Sequence, residues 1–218
     1  MLDQAFVSEE LVELIKTETH QYMHYTDGWC SPFKADILID IIVRDRPSVI
    51  LEIGVWGGKS LLPMAGTLKK LGQGTIFGID PWDTDASLEG SEELINIQFW
   101  GSADHTSMKS KLEELIQGFQ LNNHVRLICS RSEDVNPEEI GTIDILHIDG
   151  NHSEDKSYLD VTKWVPHLKT GGWIVFDDMT WIEKGKITTG KAVKWLDTNC
   201  VRFAVFNDTC RWGIWVKP

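Results

Sequence analysis

Two hydrophobic periods alternate along this chain. Near the start, Leu11, Leu14 and Ile15 recur at helical spacing behind Ser8-Glu9-Glu10, a capping residue followed by acids. This predicts a helix from about 8 to 25. A loop over 26–33 with Gly28, Trp29 and Pro32 follows, then a second helix over 34–43 that ends ahead of Pro47. From Val49 the period changes. Apolar runs of strand length, 49–51, 75–79, 125–129, 143–148 and 173–176, alternate with helical stretches. Those stretches include 61–71, a segment with Tyr158, Val161 and Trp164 on one face, and 191–199. Strands of this kind, separated by helices, spell a parallel sheet covered on both faces. The last two runs, 202–206 and 212–216, are joined only by the turn at 207–211, so they must pair as an antiparallel hairpin. The expected fold is α/β, a mostly parallel seven-stranded sheet closed by a C-terminal antiparallel hairpin.

One stretch is surplus to that plan. Pro81 to Asn123 is much longer than a single crossover helix, and both 91–100 and 106–120 have helical spacing. It reads as an insertion that covers a site or forms a dimer contact. With 218 residues and no repeat, low-complexity tract or linker, the chain reads as one domain over 1–218, with 1–47 as N-terminal helices.

In open α/β sheets, ligands bind beyond the carboxyl ends of the strands, so the residues closing each run carry the chemistry. The first run ends at Glu52 and a glycine-rich turn, Gly54-Val55-Trp56-Gly57-Gly58-Lys59-Ser60, and the second at Asp80. Such a unit binds a nucleoside: the glycines admit the ligand to the backbone, and the acid receives two ribose hydroxyls. Trp56 stands where a dinucleotide G-x-G-x-x-G needs glycine, so no pyrophosphate slot is spelled out. Asp149, Asp177 and Asp178 close two further runs. Three like charges there would repel, and a bound cation would remove that cost, Mg²⁺ first among hard metals, then Mn²⁺ or Ca²⁺. Each acid could instead cap the helix after it, and Asp80 could serve only the turn at Pro81. His152 follows Asp149 by three residues and suits a general base. His147, inside a strand, reads as a core residue, and Lys59 as solvated. Trp82 and Asp83 could touch an adenosine or, for Trp82, pack in the core.

The E-x-G-x-x-x-G form of Glu52, Gly54 and Gly58 resembles the first motif of class I S-adenosylmethionine (SAM) methyltransferases. The stretches LHIDGNH, 146–152, and GGWIVFDDM, 171–179, resemble metal-dependent small-molecule O-methyltransferases, the macrocin O-methyltransferase-like group above all and catechol O-methyltransferase more distantly. The resemblance covers about 49–178 and implies a Rossmann-like class I methyltransferase fold. It implies Asp149, Asp177 and Asp178 as metal ligands, and His152 where catechol O-methyltransferase has a lysine base. It puts Ser132 and Glu133 at the adenine. The cofactor set it implies is Glu52, Gly54, Trp56, Gly58, Ser60, Asp80, Ser132, Glu133 and Asp149, with His152 and Asp149 catalytic. Asn151 departs from the pattern, since some sugar-methylating relatives carry aspartate there. The expected activity is SAM-dependent, divalent-metal-dependent O-methylation of a small hydroxylated molecule such as a sugar moiety or vicinal diol. Three alternatives stay open: a metal-independent methyltransferase with His152 as sole base, a nicotinamide-dependent oxidoreductase, and a non-catalytic SAM-binding protein.

Composition narrows the partners. A net charge of −12 without clustered Lys or Arg argues against nucleic acid. Cys30, Cys129, Cys200 and Cys210 form no C-x-x-C pair or zinc spacing, and read as reduced cytosolic thiols. The first ten residues do not read as a signal peptide, and no stretch approaches a membrane span, so the expected location is the cytoplasm. Ten tryptophans are many; most are expected in core and lid positions and some at a substrate pocket. A homodimer is the base-rate expectation.

Overall fold

The computed structural model describes residues 8–218; the expectation about a signal peptide falls largely on residues 1–7, which lie outside them. Helix α1 (Glu9–Met23) opens at Ser8, whose hydroxyl accepts from the Leu11 amide. Helix α2 (Pro32–Asp45) begins two residues earlier than its hydrophobic stripe suggests. Ser31 caps it, and Pro32 takes the first helical turn, where its missing N–H costs nothing. Strand β1 (Val49–Ile53), helix α3 (Leu61–Leu71) and strand β2 (Thr75–Asp80) form the first β-α-β unit. Helices α4 (Thr84–Leu88), α5 (Leu94–Ser102) and α6 (His105–Gly118) lead to strand β3 (Val125–Cys129). Strand β4 (Ile143–Ile148), helix α7 (Glu154–Trp164) and strand β5 (Leu168–Phe176) follow. A small hairpin, β6 (Ile182–Glu183) and β7 (Lys186–Ile187), precedes helix α8 (Gly190–Asn199) and strands β8 (Val201–Asn207) and β9 (Arg211–Val216).

The main sheet has seven strands in the order β3-β2-β1-β4-β5-β9-β8. Pairs from β3 to β5 are parallel, and β9 is antiparallel to both β5 and β8, as the hairpin argument requires. Successive residues on a strand face opposite sides. Ile50, Ile145, Val175 and Ile214 therefore join one core cluster, under α3 and α6. Leu51, Leu146, Ile174 and Trp215 join the other, under α7 and α8. Burial on both faces is why these strands read as unbroken apolar runs. Helix α1 lies on α2 and α3. It comes close to α3 because Gly66 has no side chain: a Cβ there would sit 2.6 Å from the Tyr22 ring.

The 81–123 stretch divides differently from the expected insertion. Leu112 and Ile116 of α6 are buried against the sheet, so α6 is the ordinary crossover helix, and only α4 and α5 are surplus. None of α5 is buried. Among the described residues no helix is long and apolar enough to cross a membrane, and all four cysteines are free thiols.

Candidate active site

The carboxyl ends of β1, β2, β4 and β5 open into one cavity of about 460 Å³, within the range of small-molecule sites. At its centre the glycine turn lies on the turn after β4. Gly54 has φ +84°, and a Cβ on it would fall 2.0 Å from the Asp149 carbonyl oxygen. Only glycine permits that approach. Paired amides fix both turns: Gly54 N–H donates to Ile79 O (2.9 Å), and Asp149 N–H donates to Ile53 O (2.8 Å). Asp80 clamps the glycine turn. Its Oδ2 accepts from the amides of Val55 (3.0 Å) and Trp56 (2.9 Å), and its Oδ1 from that of Trp82 (2.7 Å). Burial raises its pKa above the ordinary carboxylate value, against the pull of those amides. The turn-capping role weighed from sequence is thus present, on a carboxylate that still lines the cavity. Trp56, Trp82 and Asp178 all have positive φ, a strained backbone for non-glycine residues that clusters at functional sites.

The sequence-derived residues separate into two groups. Gly54, Trp56, Ser60, Asp80, Ser132, Glu133, Asp149, His152, Asp177 and Asp178 all line the cavity. Glu52 and Gly58 do not. Glu52 is fully buried behind the wall, where its Oε1 accepts from the Ser60 hydroxyl and meets His147 Nδ1 at 2.9 Å. Gly58 faces Leu112 of α6 rather than a ligand. Ser132 donates to Asp160, and Glu133 is held by Lys156 Nζ at 2.5 Å. Asn151 ties the turn after β4 to α4: its Nδ2 donates to Glu89 O (2.8 Å) and Ala86 O (3.2 Å).

The acidic end differs from the expected trio. Among the described residues, ligand atoms converge in two overlapping groups, His147–Asp149–Asp177 and Asp149–His152–Asp178; Asp149, Asp177 and Asp178 do not form one. Two cationic side chains account for this. The Lys34 ammonium, fully buried, donates to Asp177 Oδ2 and lies 2.9 Å from His147 Nε2. The His152 ring sits beside both other acids, its Nε2 3.1 Å from Asp178 Oδ2 and 3.9 Å from Asp149 Oδ1, stacked 4.2 Å from Trp181. Lys34 already neutralises Asp177 from behind the cavity wall, and the three aspartates do not converge as one group. Burial, which alone would lower the His152 pKa, is outweighed by Asp149 and Asp178, which push it up to about 10. Burial and the charge of Asp177 push Asp149 up to about 7. Asp177 is the opposite case: burial is overcome by Lys34 and His147, which hold it well below the usual carboxylate range.

Sequence reasoning missed Lys34; His147, read as a core residue, is fully buried as expected and contacts Lys34 and Glu52. A signal existed for the first: Lys34 shares a helical stripe with Leu38, Ile41 and Ile42, where a lysine is out of place unless paired. Cys30, Phe99, Trp100 and Trp181 also line the cavity, and Trp29, Phe99, Trp100 and Trp56 form an aromatic wall with ring centroids 4.9–6.4 Å apart.

Comparison with known proteins places this geometry. A family model described as "Methyltransferase domain" matches residues 51–179. The L-olivosyl-oleandolide 3-O-methyltransferase of Streptomyces antibioticus is 26% identical over 140 residues, covering 62% of this chain and 29% of that protein, so the match spans less than a third of the relative's length. Among solved structures, the O-methyltransferase NovP superposes with a TM-score of 0.65 at 15% identity, covering 97% of this chain and 99% of that one. The Bacillus cereus O-methyltransferase in complex with S-adenosylhomocysteine (SAH) gives 0.63 at 13%, covering 99% and 94%. TomG from Streptomyces achromogenes, in complex with SAM, gives 0.62 at 14%, covering 98% and 92%. At these identities the likeness is one of fold, a Rossmann-like methyltransferase sheet.

Proposed function

The chain belongs to the methyltransferase-domain family, and on that premise we propose that it is a SAM-dependent O-methyltransferase acting on a hydroxyl of a small molecule such as a sugar moiety or a vicinal diol. The observation that carries this reading is the joint at Gly54. It sets the cofactor turn, clamped by Asp80, directly against the backbone of Asp149. Cofactor and acceptor would therefore meet at the end of β4, beside His152. When bound, SAM supplies an electrophilic methyl group on a sulfonium. Gly54 and Trp56 would line the cofactor, Asp80 would face its ribose, and Ser132 and Glu133, which line the same cavity, would approach its adenine. The Asp149–His152 pair would take the proton of the acceptor hydroxyl as that oxygen accepts the methyl group. Within the pair, Asp149 at about 7 has the value suited to accepting a proton at neutral pH, and the His152 imidazolium stabilises negative charge next to it. The rest of the rate comes from holding two reactants in one cavity.

A second reading rests on the convergence of Asp149, His152 and Asp178. Two carboxylates and an imidazole make a donor set for a divalent ion such as Mg²⁺ or Mn²⁺, and such an ion would lower the pKa of a bound hydroxyl. His152 would then be a ligand, not part of the base.

Parallel calorimetric titrations with SAH and NADH test the main proposal. One SAH bound per chain with no heat from NADH supports it. Binding of NADH with none of SAH would return the site to nicotinamide chemistry.

A further inference from the structure

Asp177 has one engaged oxygen and one free one. Its Oδ2 is taken by Lys34 and lies 3.4 Å from His147 Nε2, whereas its Oδ1 is buried without a hydrogen-bond partner on a residue that lines the cavity. A buried ionised carboxylate with an idle oxygen is costly unless something neutralises it and something else fills the vacant bond. Lys34 meets the first need from below. It is 2% exposed, projects from α2 and is absent from the cavity lining. The Lys34 ammonium also lies 2.9 Å from His147 Nε2, and His147 Nδ1 lies 2.9 Å from Glu52, which accepts from Ser60. One continuous hydrogen-bonded chain thus runs under the cavity from Asp177 to Ser60.

Resting on the methyltransferase reading, we propose that Lys34 is the site's built-in cation. Its ammonium takes the place of the divalent ion expected from the sequence, and leaves Asp177 Oδ1 to accept a hydrogen bond from a second hydroxyl of the acceptor. The preferred acceptor class is then a pair of neighbouring hydroxyls. One loses its proton to Asp149–His152, and the other donates to Asp177. Lys34 is a positioning residue, because it acts on the acceptor only through Asp177. A diol is held here by acceptor oxygens of the protein, whereas a metal would hold it by its own oxygens. The two arrangements therefore make opposite demands on the protonation of the second hydroxyl.

The test uses Mn²⁺ as probe on the full chain saturated with SAH, read by electron paramagnetic resonance of the free ion. Wild type is expected to show no saturable Mn²⁺ site in the micromolar range. Lys34→Met, similar in length but uncharged, should bind Mn²⁺ more tightly by about tenfold or more, because a buried carboxylate has lost its counter-charge. In the double variant Lys34→Met/Asp177→Asn that gain should disappear, and the neutral pair also protects against a single variant that fails to fold. SAH affinity should stay within about twofold in every folded variant, since neither residue is assigned to the cofactor. A micromolar Mn²⁺ site in wild type, or a Lys34→Met/Asp177→Asn protein that binds Mn²⁺ as tightly as Lys34→Met, would overturn the proposal. Absence of SAH binding in wild type is a separate outcome that sinks the methyltransferase reading itself and, with it, the diol role.

Discussion

Asp160 illustrates how one buried acid couples the site to pH. It sits on α7 with Ser132 donating to it, and burial pushes its pKa up to about 7. A folded value above the unfolded one, near 4, means the folded chain holds the proton more tightly, so stability falls as pH rises from about 4 to 7 and then levels off. Asp160→Asn removes that loss. The melting temperature of the variant relative to wild type should rise between pH 5 and pH 8, with roughly 3 kcal/mol as the upper scale, from about two pKa units in that window at ~1.4 kcal/mol each. An unchanged difference would show that Asp160 is ionised in the fold. Gly54 makes a sharper prediction. Gly54→Ala should cost roughly 2–4 kcal/mol in urea unfolding and abolish SAH binding by calorimetry, because two backbones would have to part. Gly101→Ala, in α5 with nothing within 4 Å of its Cβ position, is the control and should leave both unchanged or gain slightly in stability. The strand-end acids were legible at this scale because strand ends and turn glycines are local patterns. Lys34 was not, because its partners His147 and Asp177 lie 113 and 143 residues away in sequence.

At the scale of elements, one carboxylate fastens the start of α5 to the β6–β7 hairpin. Glu183, on the β6–β7 hairpin, accepts from the amides of Glu92 (2.7 Å) and Glu93 (2.6 Å), from Asn96 Nδ2 (2.7 Å) and from Trp181 Nε1 (2.9 Å). The hairpin in turn reaches the site, since the Thr188 hydroxyl donates to the His152 carbonyl at 2.6 Å. Glu183→Ala leaves two amides without their acceptor, which costs about 1–3 kcal/mol. Hydrogen–deuterium exchange over 92–96 should accelerate while exchange in β1 and β4 stays the same; equal protection in the variant would mean that α5 is held by other contacts. Neither the hairpin nor α4 was legible. Strands of two residues and a helix of five are shorter than any window in which a period can be counted. The parallel strands were legible because the central ones, β1, β4 and β5, are buried on both faces. The extent of the insertion was misjudged for the converse reason, since the only buried apolar residues of α6 are Leu112 and Ile116, a stripe that resembles that of any surface helix.

For the whole molecule, the two core clusters share the strands between them, so neither can form without the sheet. Far-UV circular dichroism and tryptophan fluorescence should therefore report one coincident unfolding transition. The fluorescence signal has sources throughout, with Trp164, Trp212 and Trp215 buried in the cores and Trp29, Trp56, Trp100 and Trp181 at the cavity. SAH at a hundredfold excess over its dissociation constant should raise the melting temperature by about 5–10 °C, from ~2.7 kcal/mol of linkage at this chain length. Separate transitions for the two probes would show that the faces of the sheet unfold independently.

The position of Lys34 on α2 also sets where this chain can change length. Each residue added to a helix turns everything beyond it by about 100°. Only three residues, 46–48, separate α2 from β1, and α2 delivers the ammonium to Asp177 from that fixed anchor. An insertion or deletion between 35 and 48 would swing Lys34 out of its niche and strand a buried charge. The same change in the 24–31 loop would be absorbed before α2 begins. Homologous chains that keep Lys34 should therefore show gaps before Ser31 and none between Lys34 and Val49, a footprint readable from sequences alone.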